Sequence, residues 1–131
     1  MVEIGCGTGA ISRALAARPG VGEVTGVDPS PVFLDRAREL SAGTANLSFR
    51  QGDGRDLPLP GASFDLAVMH TVLSHVPDPP GLLAQAFRVL RPGGTLAVFD
   101  GNYNTMSVAT GDPDPLQACA DAFIENFVND P

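Results

Sequence analysis

Short apolar runs alternate along the chain with longer stretches in which apolar residues recur every three or four positions. Such runs are typical of buried strands, and the recurrence is typical of helices with one buried face. The predicted strands lie at 2–4, 23–27, 47–50, 64–69 and 95–99. Helices are predicted after Gly9, Pro31 and Pro80, and a last one over 114–127. Their expected apolar faces are Ile11, Ala14 and Leu15; Phe33, Leu34, Ala37 and Leu40; Leu82, Leu83, Ala86, Phe87 and Leu90; and Leu116, Ala120, Phe123, Ile124 and Phe127.

The order of these elements predicts the fold class. Strands that are apolar on both faces and alternate with helices form a parallel sheet with helices on both sides, so we predict an α/β fold. In such sheets, ligands bind beyond the carboxyl ends of the strands, next to the first strand. Four features lie at predicted strand ends of this kind: the turn at 5–9, Asp28, Asp53 and His70.

Composition narrows the classes of partner. The chain has 131 residues, which is one domain's worth of protein. Its eight basic residues are all arginine and it has 15 acidic residues, so the net charge of −7 argues against a nucleic acid or an anionic membrane as partner. We expect neither a membrane span nor a signal peptide, because no apolar run approaches about 20 residues. Cys6 and Cys119 lie too far apart in sequence to form a disulfide framework, so we expect a cytoplasmic protein.

A glycine-rich turn and a later aspartate point to a nucleoside ligand. Gly5, Gly7 and Gly9 separate the first strand from the first helix, where glycine lets the backbone turn tightly and approach a ligand. Asp28 ends the second strand 19 residues after Gly9, where a carboxylate can accept both hydroxyls of a ribose. These features predict an adenosine-bearing ligand. They leave its identity open, because Gly5-x-Gly7-x-x-Ala10 also fits the looser nicotinamide-dinucleotide fingerprint.

The segment VEIGCGTG at 2–9 resembles the first motif of class I S-adenosylmethionine-dependent methyltransferases. Four further segments resemble later motifs of that family in the same order, namely VTGVD at 24–28, QGDG at 51–54, SFDLAV at 63–68 and RVLRPGG at 88–94. The resemblance covers about residues 1–100 and is closest to small-molecule enzymes of the quinone-biosynthesis type. It implies a Rossmann-like three-layer α/β/α sandwich with strand order 3-2-1-4-5. It also implies S-adenosylmethionine as cofactor and in-line methyl transfer to a small-molecule acceptor.

The resemblance places the methionine end of the cofactor at the glycine turn. The backbone of Gly5, Cys6 and Gly7 would line its methionine and ribose parts. Glu3 would either face the methionine amino group or orient the turn, and His70 would border the methionine part. An acidic residue here suits a cofactor that carries an ammonium and a sulfonium.

The nucleoside end is implied to lie along the ends of the second and third strands. Asp28 would hold the ribose hydroxyls and Pro29 would lie against the adenine. Asp53 would accept from the adenine amino group, while the Gly54 N–H would reach a ring nitrogen. A nicotinamide dinucleotide fits less well, because we expect no arginine or lysine close enough to bind its pyrophosphate.

The sequence does not single out a catalytic residue. His70 and His75 could accept a proton from a substrate hydroxyl or amine, because histidine titrates near neutral pH. Alternatively, His70 packs against its neighbours and His75 caps the turn before Pro77. Cys6 has no evident base as partner and fits better as a small residue in a crowded turn.

Other polar residues carry weaker signals. Asp100, Tyr103 and Asn104 follow the fifth strand, where they could face the acceptor or lie in a solvated loop. We predict no metal site, because there is no metal-ligand spacing among Asp56, Asp65 and Asp78.

The chain departs from the family pattern at both ends. Met1 falls inside the first strand, and the last two strands of the family sheet are missing after 95–99. We therefore expect a single, incomplete domain over 1–131 whose fifth strand is an open edge able to pair in a homo-oligomer. Two other functions stay open: a non-catalytic S-adenosylmethionine-binding or oligomerising remnant, and a nicotinamide-dependent oxidoreductase. The use of arginine at all eight basic positions suggests a bacterial source.

Overall fold

The computed structural model describes residues 1–101. Its strands are β1 Val2–Ile4, β2 Val24–Asp28, β3 Leu47–Gln51, β4 Phe64–His70 and β5 Leu90–Phe99. The helices are α1 Ala10–Ala16, α2 Pro31–Leu40 and α3 Pro79–Val89, with a single 3₁₀ turn at Leu73–His75. The strands pair in parallel in the order β3-β2-β1-β4-β5, which confirms the predicted order.

The central strand β1 sends its side chains into two different layers. Val2 and Ile4 are buried in the main apolar core, together with Leu82 of α3. Glu3 lies on the opposite face, where its carboxylate accepts a hydrogen bond from Ser12 of α1. Because alternate residues of a strand face opposite sides, α1 and α3 cover opposite faces of the sheet. The predicted three-layer sandwich is confirmed.

Local sequence fixes where the helices near the carboxyl ends of the strands begin. The Ser30 hydroxyl accepts the backbone N–H of Phe33 at 3.3 Å, and Pro31 occupies the first turn of α2. The Asp78 carboxylate accepts the N–H of Gly81 at 3.0 Å at the start of α3. α2 therefore begins three residues after the end of β2, whereas α3 begins nine residues after the end of β4.

The boundary between α3 and β5 differs from the prediction. Leu90 was expected on the apolar face of the helix, but α3 ends at Val89 and Leu90 pairs with Phe64 as the first residue of β5. The register then shifts, so that Thr95 pairs with Leu66. Residues 91–94, which lie between the predicted helix and the predicted strand 95–99, therefore form a bulge between two paired parts of one strand.

The helices also bury a narrower face than the apolar pattern predicted. Phe33, Leu40 and Phe87 are 51%, 44% and 64% exposed, so their predicted burial was wrong. Small side chains such as Ser12 and Ala37 are buried against the sheet instead. Their size lets the helix approach the sheet closely, and the larger apolar side chains then lie toward the exposed side of the helix. The fully buried helix residues are Ser12, Leu34, Ala37, Leu82, Ala86 and Val89.

Several predictions concern residues outside the described range of 1–101, namely the helix over 114–127, Tyr103, Asn104 and Cys119. Within 1–101, no helix is long and apolar enough to cross a membrane. The same residues contain no group of three or more His, Cys, Asp or Glu side chains placed to hold a metal ion.

Candidate cofactor-binding site

The glycine turn lies tightly against the neighbouring strand. The N–H groups of Gly5 and Cys6 both donate to the carbonyl of Val27, at 2.8 and 3.0 Å. Gly5 has φ 75°, and a Cβ at this position would lie 2.6 Å from Cγ2 of Val72. Only glycine combines this left-handed backbone with so close an approach to a side chain. At Gly7, by contrast, a Cβ would have no atom within 4 Å, so the turn borders open space there.

Asp28 connects the glycine turn to the end of β2. Its Oδ2 accepts the N–H of Gly7 at 2.8 Å, and its Oδ1 accepts the N–H of Ser30 at 2.9 Å. The residue is only 7% exposed. A carboxylate has about four acceptor positions, so one remains on each oxygen. Asp28 is thus held rigidly and can still accept two more hydrogen bonds.

A cavity of about 570 Å³ opens between these elements. This volume lies within the range of small-molecule cofactor sites. Asp28 and Gly7 line one side of it, and the segment 71–72 and His75 line another. The complete lining within residues 1–101 is Ile4, Gly5, Gly7, Val27, Asp28, Pro29, Ser30, Phe33, Gly52, Asp53, Gly54, Arg55, Thr71, Val72, His75, Val76, Pro77 and Leu82.

At the predicted nucleoside end of the cavity, the Asp53 carboxylate is paired with the Arg55 guanidinium. The Asp53 carboxylate accepts from Nη2 of Arg55 at 2.6 Å and from its Nε at 3.0 Å. These hydrogen bonds hold the pKa of Asp53 at about 2, well below its usual range. Gly54 lies between them, and a Cβ there would collide with Leu82. The backbone at 53–55 is therefore pressed onto the cavity floor, with a charged side chain on either side.

Glu3 is held beneath the glycine turn and does not line the cavity. It is 2% exposed, and its carboxylate accepts from the Ser12 hydroxyl at the start of α1. Burial raises the pKa of Glu3, an effect that the hydrogen bonds from Ser12 only partly offset. This contact agrees with the second of the two predicted roles, orientation of the turn. A role facing the methionine amino group stays a prediction.

His70 and Thr71 lie side by side where β4 ends. The His70 ring stacks on Phe99, with ring centroids 4.8 Å apart and an interplanar angle of 18°. Thr71 lines the cavity at φ 53°, which is rare for a β-branched residue, and its hydroxyl donates to the carbonyl of His70 at 2.7 Å. His70 therefore packs as its alternative interpretation stated, and its predicted cofactor contact remains untested.

Asp100 holds the 3₁₀ turn that forms one wall of the cavity. Its Oδ2 accepts the N–H groups of Val72 and Leu73 at 2.9 and 2.7 Å, and its Oδ1 accepts the Ser74 hydroxyl at 2.8 Å. Burial acts to raise the pKa of Asp100, but the hydrogen bonds outweigh it and lower the pKa. Neither sequence interpretation of Asp100 anticipated this role.

Cys6 is a packing residue. It is buried, and its Sγ would lie 2.8 Å from a Cβ placed on Gly26 of β2. Burial raises the pKa of its thiol to about 12, so the thiol stays protonated near neutral pH. This agrees with the prediction of a small residue in a crowded turn.

The glycine turn, the ribose-type carboxylate and the parallel sheet are the arrangement expected of a nucleoside-binding α/β domain. Residues 2–98 match the protein family described as "Methyltransferase domain". The chain belongs to this family. The resemblance inferred from the five sequence motifs is thereby confirmed.

Individual relatives agree with this family. The demethylmenaquinone methyltransferase of Tropheryma whipplei (strain Twist) is 40% identical over 109 residues, which cover 83% of this chain and 44% of that protein. The structure of an S-adenosylmethionine-dependent methyltransferase from Mesorhizobium loti aligns with a TM-score of 0.65 at 35% identity, covering 72% of this chain and 43% of that one. The chain thus spans less than half the length of these two proteins.

A second solved structure shows that the fold also occurs with another kind of chemistry. The [4+2]-cyclase SpnF aligns with a TM-score of 0.71 at 30% identity, covering 76% of this chain and 37% of that one. The fold alone therefore leaves the reaction of a given protein to be argued from its site.

The structure gathers many, but not all, of the predicted site residues around one cavity. Those that line it are Gly5, Gly7, Asp28, Pro29, Asp53, Gly54 and His75. Glu3, Cys6 and His70 lie outside the lining formed by residues 1–101. The expectation of no arginine nearby was wrong, because Arg55 lines the cavity, although its charge is paired with Asp53.

Sequence reasoning missed Ser12, Arg55 and Val72, and it identified Asp100 without the role that the structure gives it. Of these, only Arg55 had a visible signal, since it lies two residues after an aspartate already identified as a site candidate. The contacts of Ser12 and Asp100 join residues 9 and 26–28 positions apart, and they exist only once the layers have packed.

Proposed function

We propose that the chain binds S-adenosylmethionine in this cavity and positions its methyl group for transfer to a small-molecule acceptor. The observation that carries the proposal is the carboxylate of Asp28, which is nearly buried and keeps two acceptor positions beside the glycine turn. Two vicinal ribose hydroxyls are the donors that such a carboxylate accepts in nucleoside-binding α/β folds. The family assignment over 2–98 selects a methyl donor from the adenosine-bearing cofactors.

The residues present suit this cofactor chemically. Its methionine part carries an ammonium, and its sulfur carries a positive charge. Asp28 lines the cavity and the buried Glu3 lies close behind it, so the acidic side chains favour a cationic ligand. The open space beside Gly7 leaves room for the methionine chain. Pro29 and Phe33 offer apolar surface for an adenine ring.

Alignment is the main contribution that we assign to the protein. S-adenosylmethionine, when bound, supplies a methyl group already activated by its positively charged sulfur. The chain then has to fix the ribose through Asp28 and to hold the acceptor in line with the methyl group. A general base is required only for an acceptor that must lose its proton early.

His70 and His75 are the proposed proton acceptors for that case. His75 lines the cavity, whereas His70 lies at the end of β4 on the Phe99 ring. Each histidine is replaced by alanine in a separate variant, and only one of the two variants should transfer methyl groups more slowly. That variant should also have an altered pH–rate profile and an unchanged affinity for S-adenosylhomocysteine. Equal rates for both variants and the wild type would show that neither histidine takes the proton.

For the acceptor we propose a small phenolic or quinol-type molecule. The similarity to a demethylmenaquinone methyltransferase supports this class. A second candidate, cofactor binding without methyl transfer, is supported by the similarity to a cyclase.

We also propose a bacterial cytoplasmic source and self-association through β5, which is an edge strand of the sheet formed by residues 1–101.

The test combines two measurements on the full chain. Titration with S-adenosylhomocysteine and, separately, with oxidised and reduced nicotinamide dinucleotides should give saturable binding of the first alone. Incubation with methyl-labelled S-adenosylmethionine and a panel of hydroquinones should then place label in the small-molecule fraction. Binding without any labelled product would favour the second candidate, and tight dinucleotide binding would overturn the proposal.

A further inference from the structure

Arg55 lies in the lining of the cavity, although it was not among the predicted site residues. Within residues 1–101, it is the only arginine that lines the cavity. It does not lie there as an isolated charge, because its guanidinium is paired with Asp53 at 2.6 Å. A nucleobase bound at this end of the cavity would therefore meet Asp53 and Arg55 as one paired unit.

The geometry of the pair is fixed from two directions. The backbone N–H of Arg55 donates to Oδ1 of Asp53 at 2.8 Å, and its Nε donates to the same oxygen at 3.0 Å. On the other oxygen, Oδ2, Nη2 donates at 2.6 Å, and Nε, which is shared with Oδ1, lies at 3.2 Å. A short backbone turn and a two-point guanidinium contact together hold the carboxylate in one orientation.

Counting donors and acceptors shows what is left for a ligand. The two donors on Oδ1 use its two acceptor positions. Because Nε has a single proton and lies nearer to Oδ1 than to Oδ2, Oδ2 keeps one position available. The guanidinium thus holds a carboxylate that can still accept one hydrogen bond from a ligand.

We infer that Arg55 is a positioning and specificity-determining residue that, together with Asp53, selects an aminopurine over an oxopurine at the base end of the cofactor. Adenine presents its amino group as a donor to the open position on Asp53, while its ring nitrogen is the atom that the Gly54 N–H is predicted to reach. An oxygen at the same ring position would face the Asp53 carboxylate and be repelled. With the ribose fixed by Asp28, the base cannot shift to restore the match. This inference rests on the proposed cofactor.

The test compares two ligands that differ at one ring position. S-adenosylhomocysteine carries the amino group, and S-inosylhomocysteine carries an oxygen in its place. We expect the wild-type chain to bind the first about tenfold or more tightly, the effect of one hydrogen bond to a charged group. Arg55→Ala should weaken S-adenosylhomocysteine by about threefold to tenfold and reduce the preference, and Arg55→Lys should do so too, because it keeps the charge without the fork.

Two further variants separate positioning from a general charge effect. In an Asp53→Ala background, Arg55→Ala should cause no additional loss, because its effect passes through the carboxylate. Arg36→Ala is the matched control, since Arg36 forms an exposed ion pair with Glu39 on α2 and does not line the cavity. Its affinities for both ligands should equal those of the wild type.

The outcomes distinguish the inference from the proposed function. Wild-type chain that binds neither ligand would overturn both. Wild-type chain that binds S-adenosylhomocysteine, with an Arg55→Ala variant of unchanged preference or of tighter binding, would overturn the inference alone. In the latter case Arg55 would be a surface charge that competes for Asp53. Thermal melting of every variant ensures that the comparison is made on folded protein, and the exposed Arg55→Lys exchange supplies the comparison if the alanine variant does not fold.

Discussion

The carboxylate of Asp28 accepts the backbone N–H of Gly7 at 2.8 Å. These residues are 21 positions apart in sequence, yet β1 and β2 pair in parallel, so the strand ends from which they follow meet at one edge of the sheet. The same hydrogen bond that closes the glycine turn onto β2 also orients the carboxylate toward the cavity. Formation of the sheet and formation of the candidate ribose site are therefore one event.

The glycine turn supplies the first prediction. Gly5→Ala should lower the affinity for S-adenosylhomocysteine, because the new Cβ would lie 2.6 Å from Cγ2 of Val72 and push this side chain from the cavity wall. Gly20→Ala is the control, since Gly20 has a similar φ of 81° and no atom within 4 Å of the new Cβ. Both variants should lose about 1–2 kcal/mol of stability from backbone strain. Equal ligand affinities in the two variants would contradict the role of the Gly5–Val72 contact.

Ser12→Ala should destabilise the domain by about 1–3 kcal/mol, because it leaves the buried Glu3 carboxylate without its hydroxyl partner. Chemical denaturation at neutral pH measures this loss. A variant as stable as the wild type would mean that Glu3 finds another partner or is protonated without one.

Glu3→Gln should show a pH-dependent gain in stability relative to the wild type. Burial raises the pKa of Glu3 above its ordinary 4.5, so the folded state holds the proton more tightly than the unfolded state. The wild type then loses stability as the pH rises from about 4.5 through the folded-state pKa, whereas glutamine has no proton to lose. Unfolding free energies of both proteins across this range check the sign; a difference independent of pH would contradict it.

Asp100→Asn should weaken the 3₁₀ turn and have the opposite pH signature. Its carboxylate accepts several hydrogen bonds from 72–74, and partial exposure limits the expected loss to about 1–2 kcal/mol at neutral pH. The lowered pKa means that this stability is present above the ordinary 3.8 and disappears as the pH falls through the folded-state value. The gap between wild type and variant should therefore close in acid. A gap that persists there would show that the hydrogen bonds act without the charge.

The fold and the centre of the site could be predicted because they follow from local rules. Gly5 and Asp28 end predicted strands, and parallel strands place such ends at one edge of the sheet. The predicted order 3-2-1-4-5 is confirmed for the same reason. Five short motifs in the correct order added the family, which no single motif specified.

The supporting contacts could not be predicted because they depend on how the layers pack. Ser12 looks like a polar position on α1, and only the rotation of this helix against β1 brings it to Glu3. Asp100 follows β5, while its donors lie in a turn 26–28 residues earlier. Phe33 reads as a core residue of α2 but faces the cavity instead. The spacing of apolar residues shows that a segment forms a helix, but it does not show which side of the helix turns toward the sheet.

The most direct test of the cofactor site is calorimetric titration of the full chain with S-adenosylhomocysteine, alongside Asp28→Ala, Asp28→Asn and the exposed control Asp35→Ala on α2. Loss of a carboxylate that binds the ribose should cost about 1.5–3 kcal/mol, or roughly tenfold or more in affinity. Asp28→Asn should lose less, because it keeps one acceptor oxygen, and Asp35→Ala should bind like the wild type. Saturable wild-type binding that weakens in this order supports the account. Folded Asp28→Ala protein that binds as tightly as the wild type would contradict it.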